Sequence, residues 1–253
     1  MSEGKKADLG ALRQRLALVA RGGRGSPPAL PFGVPAIDSA LPGGGLARGA
    51  LHEVFGLGAA EEEAAEGAGF LAGILARLEP KRPVLWCLRQ ADLHAPGLAL
   101  CGLAPERLIL ARARNEVELL WAMEEGLKCR ALAAVVGELE TLPLTASRRL
   151  QLAAESAGIT AFALRRRHRG ALFGAEAQPS AAVTRWRIAA CPSRLGDEPG
   201  LGRSLWLMEL LRCRGGVPAR WMVEACDEAG HVHLAAALAD RAETATPRIA
   251  AAG

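Results

Sequence analysis

No apolar run in the chain approaches the roughly 18 residues that a membrane-spanning helix needs. The opening Met1-Ser2-Glu3-Gly4-Lys5-Lys6 also lacks the apolar stretch of an export signal and runs instead into a mixed charged segment. These two absences make the cytoplasm the expected compartment. Paired cysteines are missing as well. Cys87, Cys101, Cys129, Cys191, Cys213 and Cys226 are scattered, with no C-x-x-C among them, which argues against a disulfide framework or a zinc ribbon. Cysteines so placed behave as small buried hydrophobes. Lysine is absent between Lys6 and Lys81, and that gap decides the chemistry considered below.

What is present suits one sizeable core. The chain has 253 residues, 50% of them apolar, enough for one domain or at most two. Its formal charge of +4 is mild but uneven. Residues 1–25 hold Lys5, Lys6, Arg13, Arg15, Arg21 and Arg24 against Glu3 and Asp8, a surplus of four. Residues 145–169 hold Arg148, Arg149, Arg165, Arg166, Arg167 and Arg169 against Glu155, a surplus of five. Such patches attract nucleic acid or an acidic protein face, and each taken alone also fits a solvated surface.

Along the chain, Leu9, Leu12, Leu16 and Val19 recur at three- and four-residue steps and predict an amphipathic helix over 8–20. The breaker cluster Gly22 to Pro28 follows it, so residues 1–28 are expected to form a helical arm and linker. A helix so short is marginal alone and must bury its leucines on a partner, on a second copy or on its own core. Residues 29–240 form the expected core domain and 241–253 a fraying tail. Within the core, strands at Ala50–Phe55, Val84–Leu88, Leu108–Leu110, Ala131–Val136 and Thr160–Leu164 alternate with helices. Two of those helices cover Val117 to Lys128, with Val117, Leu120, Trp121 and Leu127 on one face, and Ser147 to Ser156. This order predicts an α/β fold with a mainly parallel sheet flanked by helices. After a basic loop from Arg165, strands at Thr184–Ile188, Leu205–Leu211 and Trp221–Glu224 run without helices, which predicts an antiparallel C-terminal extension.

In an α/β nucleotide hydrolase the loop after the first core strand reads G-x-x-x-x-G-K-[S/T]. Its amides cradle phosphate, its lysine neutralises charge and its hydroxyl holds magnesium. Here the same place offers Gly56, Gly58, a run with Glu61, Glu62, Glu63 and Glu66, then Gly67 and Gly69, with a helix expected from Phe70. Like charges a few ångströms apart repel by roughly 1–4 kcal/mol even when well solvated, so a triphosphate is opposed where it should be held. Gly67-Ala68-Gly69 still offers amides at a helix start, but hydrolysis that depends on a lysine is excluded. The strand that should end in a magnesium-binding aspartate ends Val136-Gly137-Glu138, with Glu138 one place late. The strand that should end in a water-activating carboxylate ends Leu88-Arg89, and arginine has the wrong charge for a base. His231-x-His233 lacks a third metal ligand, His94 and Cys101 lack a third member, and Gly43-Gly44-Gly45 is a turn. No catalytic residue, cofactor or metal is expected.

The stretches Phe32-Gly33-Val34-Pro35-Ala36-Ile37-Asp38, Gly44-Gly45-Leu46-Ala47-Arg48-Gly49 and His52-Glu53-Val54-Phe55-Gly56 resemble the opening of a RecA-type core. More narrowly, the chain is similar to the ImuA family, RecA-like accessory proteins of bacterial mutasome cassettes. The match is carried by Leu30–Asp38, Leu41–Leu46, Val84–Leu88, Trp121–Leu127, Leu144–Glu155 and Glu209–Gly216. The resemblance implies a RecA-like core without ATPase, acting in SOS-induced error-prone translesion synthesis. The implied partners are an ImuB-type polymerase-like protein and an error-prone replicative-type DNA polymerase, with RecA, DNA or a second copy as further candidates. On that reading Arg165, Arg166, Arg167 and Arg169 form a loop that binds DNA or a partner. Changing all four to alanine is then expected to leave the melting temperature nearly unchanged. The rival readings are a RecA-like ATPase with an unorthodox P-loop and a protein-directed division inhibitor of the SulA type.

Overall fold

Short β-branched and apolar runs bounded by Pro and Gly become the strands, and the longer Ala/Leu/Glu-rich stretches become the helices. The computed structural model describes residues 29–57, 60–166, 178–192 and 204–235. In chain order they form α1 (Pro35–Asp38), β1 (Leu51–Leu57), α2 (Ala60–Arg77), β2 (Val84–Leu88), α3 (Ala95–Ala99), β3 (Leu108–Arg112) and α4 (Glu116–Gly126). There follow β4 (Ala134–Leu139), α5 (Leu144–Ala157), β5 (Thr160–Arg165), β6 (Thr184–Cys191), β7 (Leu205–Cys213), β8 (Ala219–Glu224) and β9 (His233–Leu234). The arm over 1–28 and the tail over 241–253 lie outside the described residues.

The strands make one sheet of nine, in the order β3-β2-β4-β5-β1-β6-β7-β8-β9. β3 through β6 run parallel in that order, and β6, β7, β8 and β9 pair antiparallel. The fold is therefore α/β and consistent with a RecA-like core, with the antiparallel C-terminal extension that the sequence predicts. Helix α2 packs on one face, its Phe70, Leu71, Ile74 and Leu75 meeting Val54, Trp86, Phe162 and Trp186. Helices α4 and α5 pack on the other, their Leu119, Met123, Leu150 and Ala154 meeting Leu51, Cys87, Val135 and Ala161. Both faces of the parallel part are buried, which is why its strands read as continuous apolar runs.

Several elements depart from the sequence reading: β4 begins at Ala134, three residues after the expected Ala131, and runs through Glu138 to Leu139, and α5 begins at Leu144, three residues before the expected Ser147. Helix α2 begins at Ala60, ten residues before the expected Phe70, so only two residues separate it from the end of β1. Gly67 and Gly69 are therefore inside a helix and are not at its start. Close packing explains them. A Cβ on Gly67 would come within 2.6 Å of Leu164, and one on Gly69 within 3.4 Å of Trp206. Helix α4 is also turned relative to expectation. Leu119, Met123 and Leu127 are buried, whereas Val117 and Trp121 are 78% and 61% exposed. The reason is Gly137 on β4, where a Cβ would lie 2.1 Å from Met123 Sδ, so the sheet accepts methionine rather than tryptophan.

His52 on β1 sits fully buried in a directed chain of hydrogen bonds. Trp186 Nε1 donates to Thr184 Oγ1 at 2.8 Å, and Thr184 Oγ1 lies 2.6 Å from His52 Nδ1. His52 Nε2 lies 2.8 Å from the Ala47 carbonyl and must donate to it, which leaves Nδ1 to accept from the threonine. Burial lowers the pKa of this imidazole from 6.5 to about 4. The unfolded chain then binds the proton first as the pH falls. Stability should thus be constant above pH 6.5 and fall toward pH 4 by up to about 1.4 kcal/mol per unit. Urea titrations across that window should show the slope, and His52→Gln should flatten it; an unchanged slope would contradict the assignment.

Candidate functional site at the carboxyl edge of the sheet

Ligands of open α/β sheets collect beyond the carboxyl ends of the strands. In this chain that edge is built around Glu138, the fifth residue of β4. The side chain of Glu138 points to the α2 face with its parity mates Ala134 and Val136, and it is buried. Its Oε1 accepts from Trp86 Nε1 at 2.8 Å, and its Oε2 from Arg166 Nη1 at 2.6 Å. Arg166, just past β5, also grips Asp92 with two parallel bonds of 2.8 and 2.6 Å. One guanidinium thus bridges two carboxylates, Glu138 near the end of β4 and Asp92 in the loop after β2.

The electrostatics follow from that placement. The bonds to Asp92, then to Glu138, raise the Arg166 pKa above its already high ordinary value. The Asp92 carboxyl is lowered by its hydrogen bond to Arg166. Burial pushes Glu138 up, and the Arg166 and Trp86 donors oppose it. Both Glu138 oxygens accept, the arrangement of a carboxylate. With those oxygens occupied, a divalent cation would have to displace the arginine. Among the described residues, no group of three or more His, Cys, Asp or Glu is placed to hold a metal.

The other face of the same edge is also closed by ion pairs and hydrogen bonds. Arg165, the last residue of β5, is buried, donates from Nη2 to the Glu140 carbonyl and lies over the Phe55 ring. Arg89 pairs with Glu140 at 2.7 Å. Glu116, at the start of α4, accepts from the backbone of Glu140 and Thr141 and ties that helix to the β4–α5 turn.

Beside the Arg166 bridge, on the α2 face, lies a cavity of about 960 Å³ between α2, α3, the start of β7 and the segment after β8. Leu93, Leu98, Cys101, Trp206 and Cys226 form its apolar wall. Its charged lining is Glu66, Asp92, Glu138, Asp227 and Glu228 against Arg166.

The expected site residues are thereby divided. Glu138 and Arg166 are brought together, which sequence reasoning placed in different sites. Arg165 is buried and Arg166 half-buried, correcting the expected exposure of the basic run at those two positions: β5 carries Arg165 into the sheet, and carboxylates hold Arg166. Arg167 and Arg169 lie outside the described residues, as do Gly58, Leu9, Leu12, Leu16 and Val19. Gly56 is buried within β1, and Gly67 and Gly69 are helical, so no phosphate cradle is formed by these three. Of the weaker candidates, His233 Nε2 bonds Asp227 and His94 Nδ1 accepts from the Gly97 amide. Sequence reasoning missed Asp92, whose sole signal was its place four residues past an apolar strand.

No family model matches the chain. It is, however, 44% identical over 216 residues to Protein ImuA of Caulobacter vibrioides strain NA1000, covering 83% of this chain and 88% of that protein. Protein ImuA of strain ATCC 19089 matches over the same lengths. The chain belongs to the ImuA family. No helix among the described residues is long and apolar enough to cross a membrane.

Proposed function

We propose that the chain is a non-catalytic RecA-like adaptor in damage-induced, error-prone translesion DNA synthesis. It works in the cytoplasm beside an ImuB-type polymerase-like protein and an error-prone replicative-type polymerase. Family membership supports the pathway. The observation that supports the absence of catalysis is the Arg166 bridge between Asp92 and Glu138. It fills with an internal cation the place where a nucleotide hydrolase needs carboxylates free for magnesium and water. The two-residue step from Leu57 to Ala60 agrees, because a cradle for two phosphates takes a longer glycine loop.

An adaptor must present a surface, and the basic run beyond Arg166 supplies one candidate. Arg167 and Arg169 have the charge to meet phosphate or an acidic partner face. A pull-down of the tagged chain from DNA-damaged cells should recover the ImuB-type protein with and without DNase. Changing Arg167 and Arg169 to alanine should change the stability by no more than about 0.5 kcal/mol. It should also reduce damage-induced mutagenesis. Wild-type mutagenesis from the double variant would remove the run as a site, and a pull-down without any polymerase-related protein would remove the adaptor reading.

A further inference from the structure

We infer that the outward face of helices α4 and α5 receives a protein partner, through a partner segment that combines apolar anchors with acidic side chains. The inference rests on the adaptor reading and names the surface that reading needs.

The two helices carry large apolar residues on both of their sides. Leu119 and Met123 of α4, and Leu150 and Ala154 of α5, are buried against the sheet. Trp121 lies two residues from Leu119 and from Met123, and Leu152 two from Leu150 and from Ala154. Each therefore points roughly 200° away from its buried neighbours, at about 100° per residue. Trp121 is 61% and Leu152 65% exposed, and Val117, one turn before Trp121, is exposed with them. Arg149 Nη2 donates to Glu124 Oε2 at 2.5 Å and holds the helices side by side, so the three residues share one surface. Of the five tryptophans, Trp86, Trp186 and Trp206 are buried and Trp221 is half-buried; Trp121 alone is exposed. A tryptophan left in water holds a large area ready for transfer, and it is a preferred anchor of protein interfaces.

Charge decides the kind of occupant. The acids of the two helices are Glu116, Glu118, Glu124, Glu125 and Glu155, and each already accepts from a donor of this chain. The cations are not used up. Arg148 is exposed and makes no ion pair among the described residues, and Arg149 keeps most of its side chain in solvent beyond its bond to Glu124. A second copy would bring the same committed acids, so across a two-fold interface Arg148 would find no free carboxylate. Nucleic acid is disfavoured because Glu118, Glu124 and Glu125 stand three or four residues from Trp121, around the ring on which a base would stack. A protein segment with its own acid meets Arg148 and Arg149 and lays its apolar side chains on Val117, Trp121 and Leu152.

The test labels the full-length chain with 5-fluorotryptophan and adds the purified, unlabelled ImuB-type protein. Of the five fluorine resonances, the one assigned to Trp121 through Trp121→Phe should shift on binding, while that of Trp206 at the cavity stays in place. Trp121→Ala should weaken the complex by at least about thirtyfold. Arg148→Glu should weaken it by about tenfold and make its salt dependence shallower. Both residues are exposed, so the melting temperature should move little. Binding that leaves the Trp121 resonance unmoved, or that Trp121→Ala leaves at wild-type strength, would overturn the inference and spare the adaptor reading. No binding by the wild-type chain would bring down both. Shielding of Trp121 from a soluble paramagnetic agent in the free chain would also overturn the inference, because the chain would then cover the face itself. So would a Trp121 shift that grows with the chain's own concentration, which would mean a second copy, or one that appears on adding single-stranded DNA. The resonance test stands even if a variant fails to fold.

Discussion

Arg166→Ala is expected to destabilise the chain by about 3 kcal/mol in urea denaturation followed by circular dichroism. Glu138 would be left buried with a single donor, Trp86 Nε1, and Asp92 would lose both of its bonds. The cost arises less from the lost attraction than from a carboxylate stranded out of water. Adding Glu138→Gln should therefore recover a large part of the loss, because the amide still accepts from Trp86 without carrying charge. A change within about 0.5 kcal/mol for Arg166→Ala would mean a solvated surface arginine, as the sequence alone suggests. The same reasoning reverses the expectation for alanine at Arg165, Arg166, Arg167 and Arg169 together. Two of the four are structural, so the quadruple variant should unfold earlier and is a poor test of binding.

A second large effect is expected at Arg185 on β6. Its Nε and Nη2 both lie 2.9 Å from Glu53 Oε2, on the neighbouring strand β1, and Glu53 has no exposure at all. Arg185 also stacks over Phe55 at 5.1 Å from the ring centroid, with Arg165 at 5.7 Å from it. Arg185→Ala removes the cation and leaves Glu53 charged in the sheet, a loss of about 3–5 kcal/mol. Arg185→Met with Glu53→Leu should be far closer to the wild type, since an apolar pair of like volume carries no desolvation cost. If the double variant were no more stable than Arg185→Ala, the penalty would lie in packing around Phe55 and not in charge.

The parts of the fold that repeat locally were legible in the sequence. Apolar runs such as Val84–Leu88 and Thr160–Leu164 are strands because both sheet faces are covered, and the change to helix-free alternation after Thr184 does mark the antiparallel extension. Where tertiary packing overrides local preference, the reading fails. Gly67 and Gly69 read as the approach to a helix start, yet α2 runs through them because Leu164 and Trp206 need the space. Val117 and Trp121 look like core, yet Met123 takes that place against Gly137. The construction of the site was not legible in the sequence. Arg166 meets partners 74 and 28 residues away, and no local pattern announces a pairing over such distances. A run of arginines read as surface because sequence shows charge density and not the acids waiting across the fold.

Calorimetric titration of the full-length chain with ATP and Mg²⁺, run beside a phosphate-release assay, tests the proposed lack of ATP hydrolysis most directly. The account expects no saturable heat and, in a parallel assay, no phosphate release above buffer with or without single-stranded DNA. Saturable binding accompanied by turnover that Glu138→Gln abolishes would contradict it, because Glu138 would then have to leave Arg166 to hold magnesium.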